Sequence, residues 1–188
     1  MDPKIGNLFY LRPLIQADAN PKYVSWVNDP NVNRFLECRF KTQTLSSVQD
    51  YISAFDFKKD FLFGLFDKKD NTHVGNFSLR LNHQHHMAEF GYFIGDKNYW
   101  GSSAAAEGIF LILDLGFMDF KMRKLWGATY HTNLSSIFNF NKFNFKVEGI
   151  MRQHLQDGSK IVDQMIFGLM VDDWKLVKTT FLKKNKWS

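Results

Sequence analysis

The sequence is poor in the residues that build cross-linked or fibrous proteins. It has a single cysteine, Cys38, with 4 prolines and 12 glycines in 188 residues. One cysteine excludes an internal disulfide and a cysteine-clustered zinc site. No run approaches 18 apolar residues, and the opening Met-Asp-Pro-Lys does not resemble a signal peptide. These absences predict a soluble protein of the cytoplasm that neither crosses nor binds a membrane.

The composition is that of an ordinary globular protein. Hydrophobic residues make up 45% and charged residues 23%, which excludes wholesale disorder. A chain of this length can bury roughly 70% of its unfolded surface, and its 20 phenylalanines indicate a core rich in large rings. No repeat or flexible linker divides the chain. We therefore expect a single domain over residues 1–188.

The net charge of +5 suits an anionic partner. Part of the excess lies near the end, where we expect a solvated tail: Lys175, Lys178, Lys183, Lys184 and Lys186, running to Trp187. Elsewhere no basic stripe with interleaved aromatic residues is present, the pattern that single-strand binders use. The charge therefore favours a small anionic molecule, and nucleic acid is not expected as a partner.

Hydrophobic periodicity predicts a mixed α/β fold around one central sheet. Alternation and turn residues predict about seven strands: Leu8–Leu14, Phe61–Asp67, a strand through Phe77, Leu79 and Leu81, Ala88–Ile94, Lys124–Tyr130, Lys146–Leu155 and Ile161–Val171. We expect about four helices in all, drawn from five stretches with helical spacing: Ala19–Asn28, Pro30–Glu37, the stretch capped by Thr44, Ser103–Phe120 and Leu134–Phe143.

The most informative segment runs from Tyr99 to Gly108 and reads Tyr-Trp-Gly-Ser-Ser-Ala-Ala-Ala-Glu-Gly. It is a loop of small residues that leads from a strand directly into a helix. Small side chains let a ligand approach the unpaired N–H groups of the first helical turn, where the helix dipole favours negative charge. By itself, this segment is more typical of an ordinary strand-to-helix turn than of an anion site.

A second motif begins 25 residues after the loop and gives it its context: Asn133 is followed by Ser136 and then by the segment 142–149, which reads Lys-Phe-Asn-Phe-Lys-Val-Glu-Gly. With it, the chain resembles the GNAT superfamily of acetyl-CoA-dependent acyltransferases, in the branch of ribosomal-protein and polyamine acetyltransferases. The loop agrees with the family pattern at Tyr99, Trp100, Gly101, Ala105 and Glu107, whereas Ser103 and Gly108 depart from it. The later pattern agrees at Asn133, Ser136, Lys142, Phe145, Glu148 and Gly149, with Asn144 where glycine is usual. Asparagine tolerates a left-handed backbone, so that change is mild.

The resemblance implies a GNAT fold, with a mostly antiparallel sheet that splays between the fourth and fifth strands, Ala88–Ile94 and Lys124–Tyr130. Acetyl-CoA is the implied co-substrate, with pantetheine along the fourth strand, pyrophosphate on the loop, and no metal. The implied coenzyme-binding residues are Phe90, Tyr92, Ile94, Gly101, Ser102, Ser103, Ala104, Ala105, Ala106, Asn133 and Ser136.

Acetyl transfer to an amine needs a base, because a lysine-like amine is almost entirely protonated at neutral pH. Glu89 is the candidate base, and an ion pair with Arg80 or a neighbouring lysine is the alternative for it. The tyrosine that serves as acid in many relatives is replaced here by Phe140. Ser136 or Tyr130 is a candidate substitute, and a mechanism without an acid is the other possibility, because a thiolate is a tolerable leaving group.

The sequence indicates the acceptor substrate less specifically than it indicates the coenzyme. The segment Tyr23–Arg39 resembles enzymes of bacterial surface-glycan biosynthesis, which favours an amino sugar on a nucleotide-linked precursor. Trp26 would then stack on a ring, Arg39 or alternatively Arg34 would bind the diphosphate, and Glu89 would contact the amine. Core packing of Trp26 and a surface ion pair of Arg39 are the alternatives.

Three other possibilities stay open for the acceptor and the activity. One is a protein N-terminus. Another is a polyamine, for which acidic residues would form the pocket: Glu37, Glu89, Glu148 and Asp163. The third is a catalytically silent protein that only binds acetyl-CoA. The turn histidines His83, His85 and His86 lack a carboxylate at ligand spacing, so no metal site is expected. The chain is expected to be a monomer or a homodimer.

Overall fold

The structure is a computed structural model that describes residues 1–185. Over this range it contains eight β-strands and six α-helices. The strands are β1 (Lys4–Ile5), β2 (Phe9–Pro13), β3 (Asp60–Asp67), β4 (His73–Asn82), β5 (Met87–Ile94), β6 (Lys124–Tyr130), β7 (Lys146–Asp157) and β8 (Lys160–Met170). The helices are α1 (Pro21–Asn28), α2 (Pro30–Asn33), α3 (Leu45–Ser53), α4 (Ala104–Asp114), α5 (Leu134–Lys142) and α6 (Val171–Asn185).

The predicted numbers of strands and helices were too low. Strand β1 has two residues and is too short to carry a periodic pattern. Helix α6 covers most of the segment expected to be a solvated tail. Its Trp174 is fully buried and stacks on Phe117 with ring centroids 5.9 Å apart, and Lys178 Nζ lies 2.6 Å from Asp114 Oδ1. Lys186 and Trp187 lie outside the described residues.

Helix α2 is shorter than the predicted Pro30–Glu37. It ends at Asn33, whose buried side-chain amide donates to the Val27 carbonyl at 2.8 Å. The backbone of Leu36 is extended, with φ −108° and ψ 141°, and Glu37–Phe40 forms a single turn of 3₁₀ helix. The side-chain bond of Asn33 competes with helix continuation, as asparagine side chains often do.

The strands follow the order β1-β2-β3-β4-β5-β6-β8-β7. The pairs β1–β2, β2–β3, β3–β4, β6–β8 and β7–β8 are antiparallel, and β5–β6 is parallel. The predicted mixed α/β architecture with a mostly antiparallel sheet is confirmed. The chain divides into two compact units, described separately: Met1–Arg80 with Gly91–Ile112, and Leu81–Phe90 with Leu113–Ser188. A single domain over 1–188 stays a prediction.

The first unit packs α1 and α3 onto an aromatic core. Asn20 caps α1 by accepting from the Tyr23 N–H, and Thr44 caps α3 by accepting from the Ser47 N–H, as its sequence predicted. These caps orient two helices that bury Tyr23, Trp26, Val48 and Ile52 against Leu14, which follows β2, and against Leu62 and Phe66 of β3.

The second unit is built around stacked phenylalanines. Phe140 of α5 lies parallel to Phe167 of β8 with centroids 4.3 Å apart, and it also contacts Phe90 and Phe145. Phe143 is fully buried and stacks on Phe181 of α6. These contacts hold α5 against the sheet and so fix the position of the turn that precedes it.

Candidate active site

The loop before α4 presents backbone N–H groups at a helix start. Gly101 has φ +75°, a conformation that glycine adopts readily and other residues rarely do. Ser102 Oγ donates to the Tyr99 carbonyl at 2.6 Å and accepts from the Ala104 N–H at 3.1 Å. Within residues 1–185, the N–H groups of Ser103, Ala105 and Ala106 have no acceptor. This arrangement suits a phosphate, which such orphan donors and the helix dipole both attract.

The aromatic residues before the loop anchor it. Tyr99 donates its hydroxyl to Asp67 Oδ2 at 2.9 Å, and Trp100 donates its indole N–H to the Ile94 carbonyl at 2.9 Å. The loop is thus tied to β3 and to the end of β5. Ile94, expected to bind the coenzyme through its backbone, already uses its carbonyl for this bond.

Glu107 is a structural anchor that the sequence showed only as a motif match. Its Oε1 accepts from the N–H groups of Leu8 and Phe9 at 2.8 and 3.0 Å. The side chain is fully buried, and burial raises its pKa. Glu107 therefore holds the start of β2 against the first turn of α4, beside the loop.

The ladder between β5 and β6 is short. It pairs Met87 with Lys124, Ala88 with Leu125 and Glu89 with Trp126, and no later residue of β5 has a β6 partner in the described chain. By contrast, β6 is paired to β8 along its whole length, from Lys124 to Tyr130. The printed ladder therefore does not include the later residues of β5, such as Phe90, Tyr92 and Ile94, and the splay stays a prediction.

Glu89 stands at the last pair of this ladder. Its side chain is half-buried and makes no hydrogen bond or ion pair with residues 1–185. Arg80, the alternative partner, instead pairs with Asp60 at 2.8 Å. A half-buried carboxylate without a partner in this part of the chain is available to accept a proton or to bind an amine.

The turn between β6 and α5 brings three predicted residues together. The Asn133 N–H donates to the Tyr130 carbonyl at 2.9 Å, and Asn133 Oδ1 accepts from the Ser136 N–H at 3.2 Å. This cap leaves Asn133 Nδ2 free to donate, and the Ser136 hydroxyl has no partner in the described residues. Tyr130 itself is buried, 4% exposed.

Phe140 fills the position of the usual acid with an apolar ring. Phe140 is buried. A Cβ added to Gly127 would lie 3.1 Å from Phe140 Cζ and 3.0 Å from the Phe90 carbonyl oxygen. The ring tip is therefore beside the end of the β5–β6 ladder, yet it carries no proton to donate.

The two residues expected to bind a nucleotide sugar are placed unfavourably. Trp26 is 6% exposed and covers Gly95, where an added Cβ would come within 2.3 Å of its ring. It is a core residue, and its ring has no free face for stacking on a sugar. Arg39 donates to the Arg34 carbonyl and lies over the Phe40 ring at 4.7 Å. These contacts favour a structural role for both residues.

The described residues contain neither a cluster of metal ligands nor a helix that could span a membrane. Between residues 1 and 185, no group of three or more histidine, cysteine, aspartate or glutamate side chains is arranged to hold a metal ion. In the same range, no helix combines the length and apolarity needed to span a bilayer.

Comparison with known proteins decides the family. Residues 9–146 match the model of the acetyltransferase (GNAT) domain. The chain belongs to the GNAT acetyltransferase family. This GNAT protein is therefore an acyltransferase, and the match covers the loop, Glu89, Asn133 and Ser136.

Individual relatives agree with this assignment. The chain is 25% identical over 165 residues to an uncharacterized N-acetyltransferase p20 of Bacillus licheniformis, covering 85% of this chain and 91% of that protein. It resembles the structure of RimL, a ribosomal L7/L12 alpha-N-protein acetyltransferase in complex with coenzyme A, with TM-score 0.79, 13% identity and coverages of 92% and 99%. It also resembles spermidine N-acetyltransferase from Vibrio cholerae in complex with CoA and spermine, with TM-score 0.79, 17% identity and coverages of 90% and 99%.

The departures from the GNAT motifs have physical explanations. Gly108 stands where alanine is usual because an added Cβ would lie 2.2 Å from the Phe77 ring, so α4 packs closely on β4. Asn144 has φ +60°, the left-handed conformation that its place in the motif predicted.

Proposed function

We propose that this protein transfers the acetyl group of acetyl-CoA to a primary amine. The observation that carries the proposal is the loop before α4, with three orphan N–H groups behind a glycine of positive φ. The family assignment and the solved relatives that contain CoA support it.

The coenzyme's phosphates would be held by the N–H groups of Ser103, Ala105 and Ala106. Asn133 Nδ2 would donate to a carbonyl of the pantetheine arm. The backbone of β5 beyond Glu89, which has no β6 partner, would bind that arm. Acetyl-CoA supplies the acetyl group, and the protein's own side chains handle the amine and its proton.

Glu89 would accept the proton of the acceptor amine, directly or through a water. Its unpartnered, half-buried carboxylate supports this role. No residue is needed to donate a proton to the leaving thiolate. Tyr130 is buried, and Ser136 lies in the first turn of α5 with its N–H bonded to Asn133 Oδ1, so either serves as an acid only if its hydroxyl reaches the sulfur. Positioning of the amine and thioester would then supply most of the acceleration.

The acceptor amine is the open part of the function. An amino sugar on a nucleotide was the sequence-based choice, but Trp26 and Arg39 do not support it. A protein N-terminus and a polyamine are the acceptors that the names of the two solved relatives indicate for those proteins. Of the acidic residues expected in a polyamine pocket, Glu148 is paired with Lys124 at 2.6 Å and Asp163 accepts from the Gln153 N–H.

The test is a screen with acetyl-CoA and representatives of each amine class, with released thiol as the readout. Turnover with any amine confirms transfer and excludes a silent acetyl-CoA-binding protein. Coenzyme binding by calorimetry without turnover in the whole panel would contradict the proposed activity. Absence of coenzyme binding at millimolar concentration would contradict the proposed role of the loop as well.

A further inference from the structure

The first unit contains a cavity that the proposed chemistry has not used. It has a volume of about 230 Å³ and lies among α1, α3, the 3₁₀ turn Glu37–Phe40 and β5. Its walls include the apolar side chains of Val27, Leu36, Val48 and Phe93. An apolar cavity of roughly 150 Å³ is enough to bind benzene, so this one accommodates a ring or an aliphatic chain of several carbons.

Most polar groups in the walls are already satisfied within the protein. Gln43 Nε2 donates to the carbonyls of Cys38 and Lys41, and its Oε1 accepts from Ser47 Oγ at 2.9 Å. The Tyr23 hydroxyl accepts from Asn76 Nδ2. A sugar placed here would lose hydrogen bonds to water and regain few from these walls, which is unfavourable.

The charge of the walls excludes a phosphate. Among the described residues, neither a lysine nor an arginine lines the cavity, and the one charged lining residue is Glu37. Burial raises the pKa of the Cys38 thiol, so this side chain stays neutral and acts as part of the apolar wall. The cavity is also smaller than the pockets that bind drug-sized ligands, which have volumes of roughly 300–1,000 Å³. A nucleotide-linked sugar is therefore too large for it.

Phe93 places this cavity on the strand that the proposed function uses. Strand alternation puts Phe93 and Gly91 on the same side of β5, and Glu89, the proposed base, lies two positions before Gly91 in the sequence. An added Cβ at Gly91 would meet only Ser78 Oγ, at 3.2 Å, so this side of the strand is open.

We infer that the cavity holds the apolar group next to the acceptor amine, and that the substrates are amines on a compact aliphatic or aromatic body. This inference rests on the proposed acetyl transfer. The same chemistry is presented by a free alkyl or arylalkyl amine and by a polypeptide whose first residue is large and apolar.

The experiment compares two substrate series with the intact protein and acetyl-CoA. One series runs from ethylamine through butylamine to hexylamine and phenethylamine. The other compares Gly-Gly-Gly with Leu-Gly-Gly and Phe-Gly-Gly, and spermidine and an amino-sugar nucleotide serve as polar references. Each added methylene is expected to raise kcat/KM about threefold to fourfold, and the series with the higher kcat/KM identifies the source of the amine.

A cavity-filling variant and a matched control localise the effect. Leu36→Trp fills the cavity and should lower kcat/KM for hexylamine at least about tenfold, with little change for ethylamine. Leu45 is on α3, is 43% exposed and does not line the cavity, so Leu45→Trp should behave as wild type. Coenzyme affinity should be unchanged in both variants.

Three results decide the matter. A flat response to chain length, or a preference for spermidine or the amino-sugar nucleotide, overturns the inference while leaving acetyl transfer intact. If no amine is acetylated, the proposed function fails. The apolar site is then tested by measuring hexylamine binding by calorimetry in the presence of CoA. Binding to wild type but not to Leu36→Trp then supports the apolar site, and no binding to wild type overturns it.

Discussion

At the scale of single residues, the role of a carboxylate depends on whether neighbouring residues already form hydrogen bonds to it. Glu89 has no partner within residues 1–185, whereas one oxygen of Glu107 accepts from the N–H groups of Leu8 and Phe9, where β2 begins. The two carboxylates are indistinguishable by residue type, and only their partners separate a candidate base from a structural anchor.

Replacing Glu89 with glutamine should lower turnover by roughly 10²–10⁴-fold and leave coenzyme affinity nearly unchanged. Glutamine keeps the size and hydrogen-bonding reach of the side chain but accepts no proton at neutral pH. The loss should shrink as pH rises, because more of the amine is then neutral before it binds. Steady-state kinetics from pH 6 to 9 measure this, and wild-type turnover throughout that range would remove Glu89 as the base.

The N–H group of Ser103 offers a cleaner test of the loop than Gly101. Since Gly101 has φ +75°, any side chain there strains the backbone whatever the ligand does. Ser103→Pro removes one orphan donor from an exposed position and should weaken coenzyme binding about 10- to 100-fold, as expected for a lost bond to a charged group. Ser103→Ala keeps the N–H and should bind as wild type in calorimetry. Equal affinity of the two variants would place the phosphates elsewhere.

At the scale of elements, the sequence predicted regular segments well and irregular ones poorly. Strand β6 has the predicted bounds, Lys124–Tyr130, because its alternation is uninterrupted. The helix expected over Ser103–Phe120 is an α-helix only to Asp114, and Leu115–Asp119 forms a π-helical turn that follows it. There Gly116 packs against Leu125, a tertiary contact that periodicity does not encode.

The candidate site was predictable where it follows backbone geometry and not where it follows packing. The loop before α4 and the turn at Asn133 depend on local backbone geometry, and a helix begins directly after each, as the sequence indicated, whereas anion binding by the loop stays a prediction. The burial of Trp26 was not predictable, because its environment depends on Gly95, 69 positions away in the sequence. The cavity at Phe93 was missed for the same reason, since its walls come from four separate elements.

Strand β4 carries an acid-sensitive position in the aromatic core. His73 stacks on Phe66, and its Nε2 lies 2.8 Å from Asn76 Oδ1. Burial lowers the pKa of His73 from 6.5 to about 4. The folded state therefore binds fewer protons than the unfolded state between these values, and stability that is complete above pH 6.5 is lost as pH falls towards 4.

His73→Gln should remove much of this acid sensitivity. Glutamine can donate to Asn76 Oδ1 but does not titrate, so the roughly 2–3 kcal/mol lost by the wild type between pH 6.5 and 4 should be reduced. Chemical denaturation at a series of pH values gives the slope. Parallel slopes for variant and wild type would show that other groups govern acid unfolding.

At the scale of the whole molecule, coenzyme binding should be visible as stability. A ligand that binds only the native state stabilises it by about 2.7 kcal/mol at a hundredfold excess over its Kd. For a chain of this length that corresponds to a rise in Tm of roughly 5–10 °C. Differential scanning calorimetry with and without acetyl-CoA measures it, with acetate and pyrophosphate as controls. An unchanged Tm at millimolar acetyl-CoA would contradict the coenzyme assignment.

The irregular backbone of the edge strand β7 affects how readily other chains can pair with the sheet and aggregate. Strand β7 is at the end of the strand order and exposes apolar side chains such as Val147 and Ile150, a combination that invites other chains to add on. Two register shifts interrupt it, one between Val147 and Gly149 and one between Met151 and Leu155, and Gln153 within the second has φ +51°. Because bulges twist an open edge away from a straight partner, only short stretches such as Gly149–Met151 and Leu155–Asp157 keep a regular register that could template a further strand. These interruptions protect the protein against edge-to-edge fibril growth.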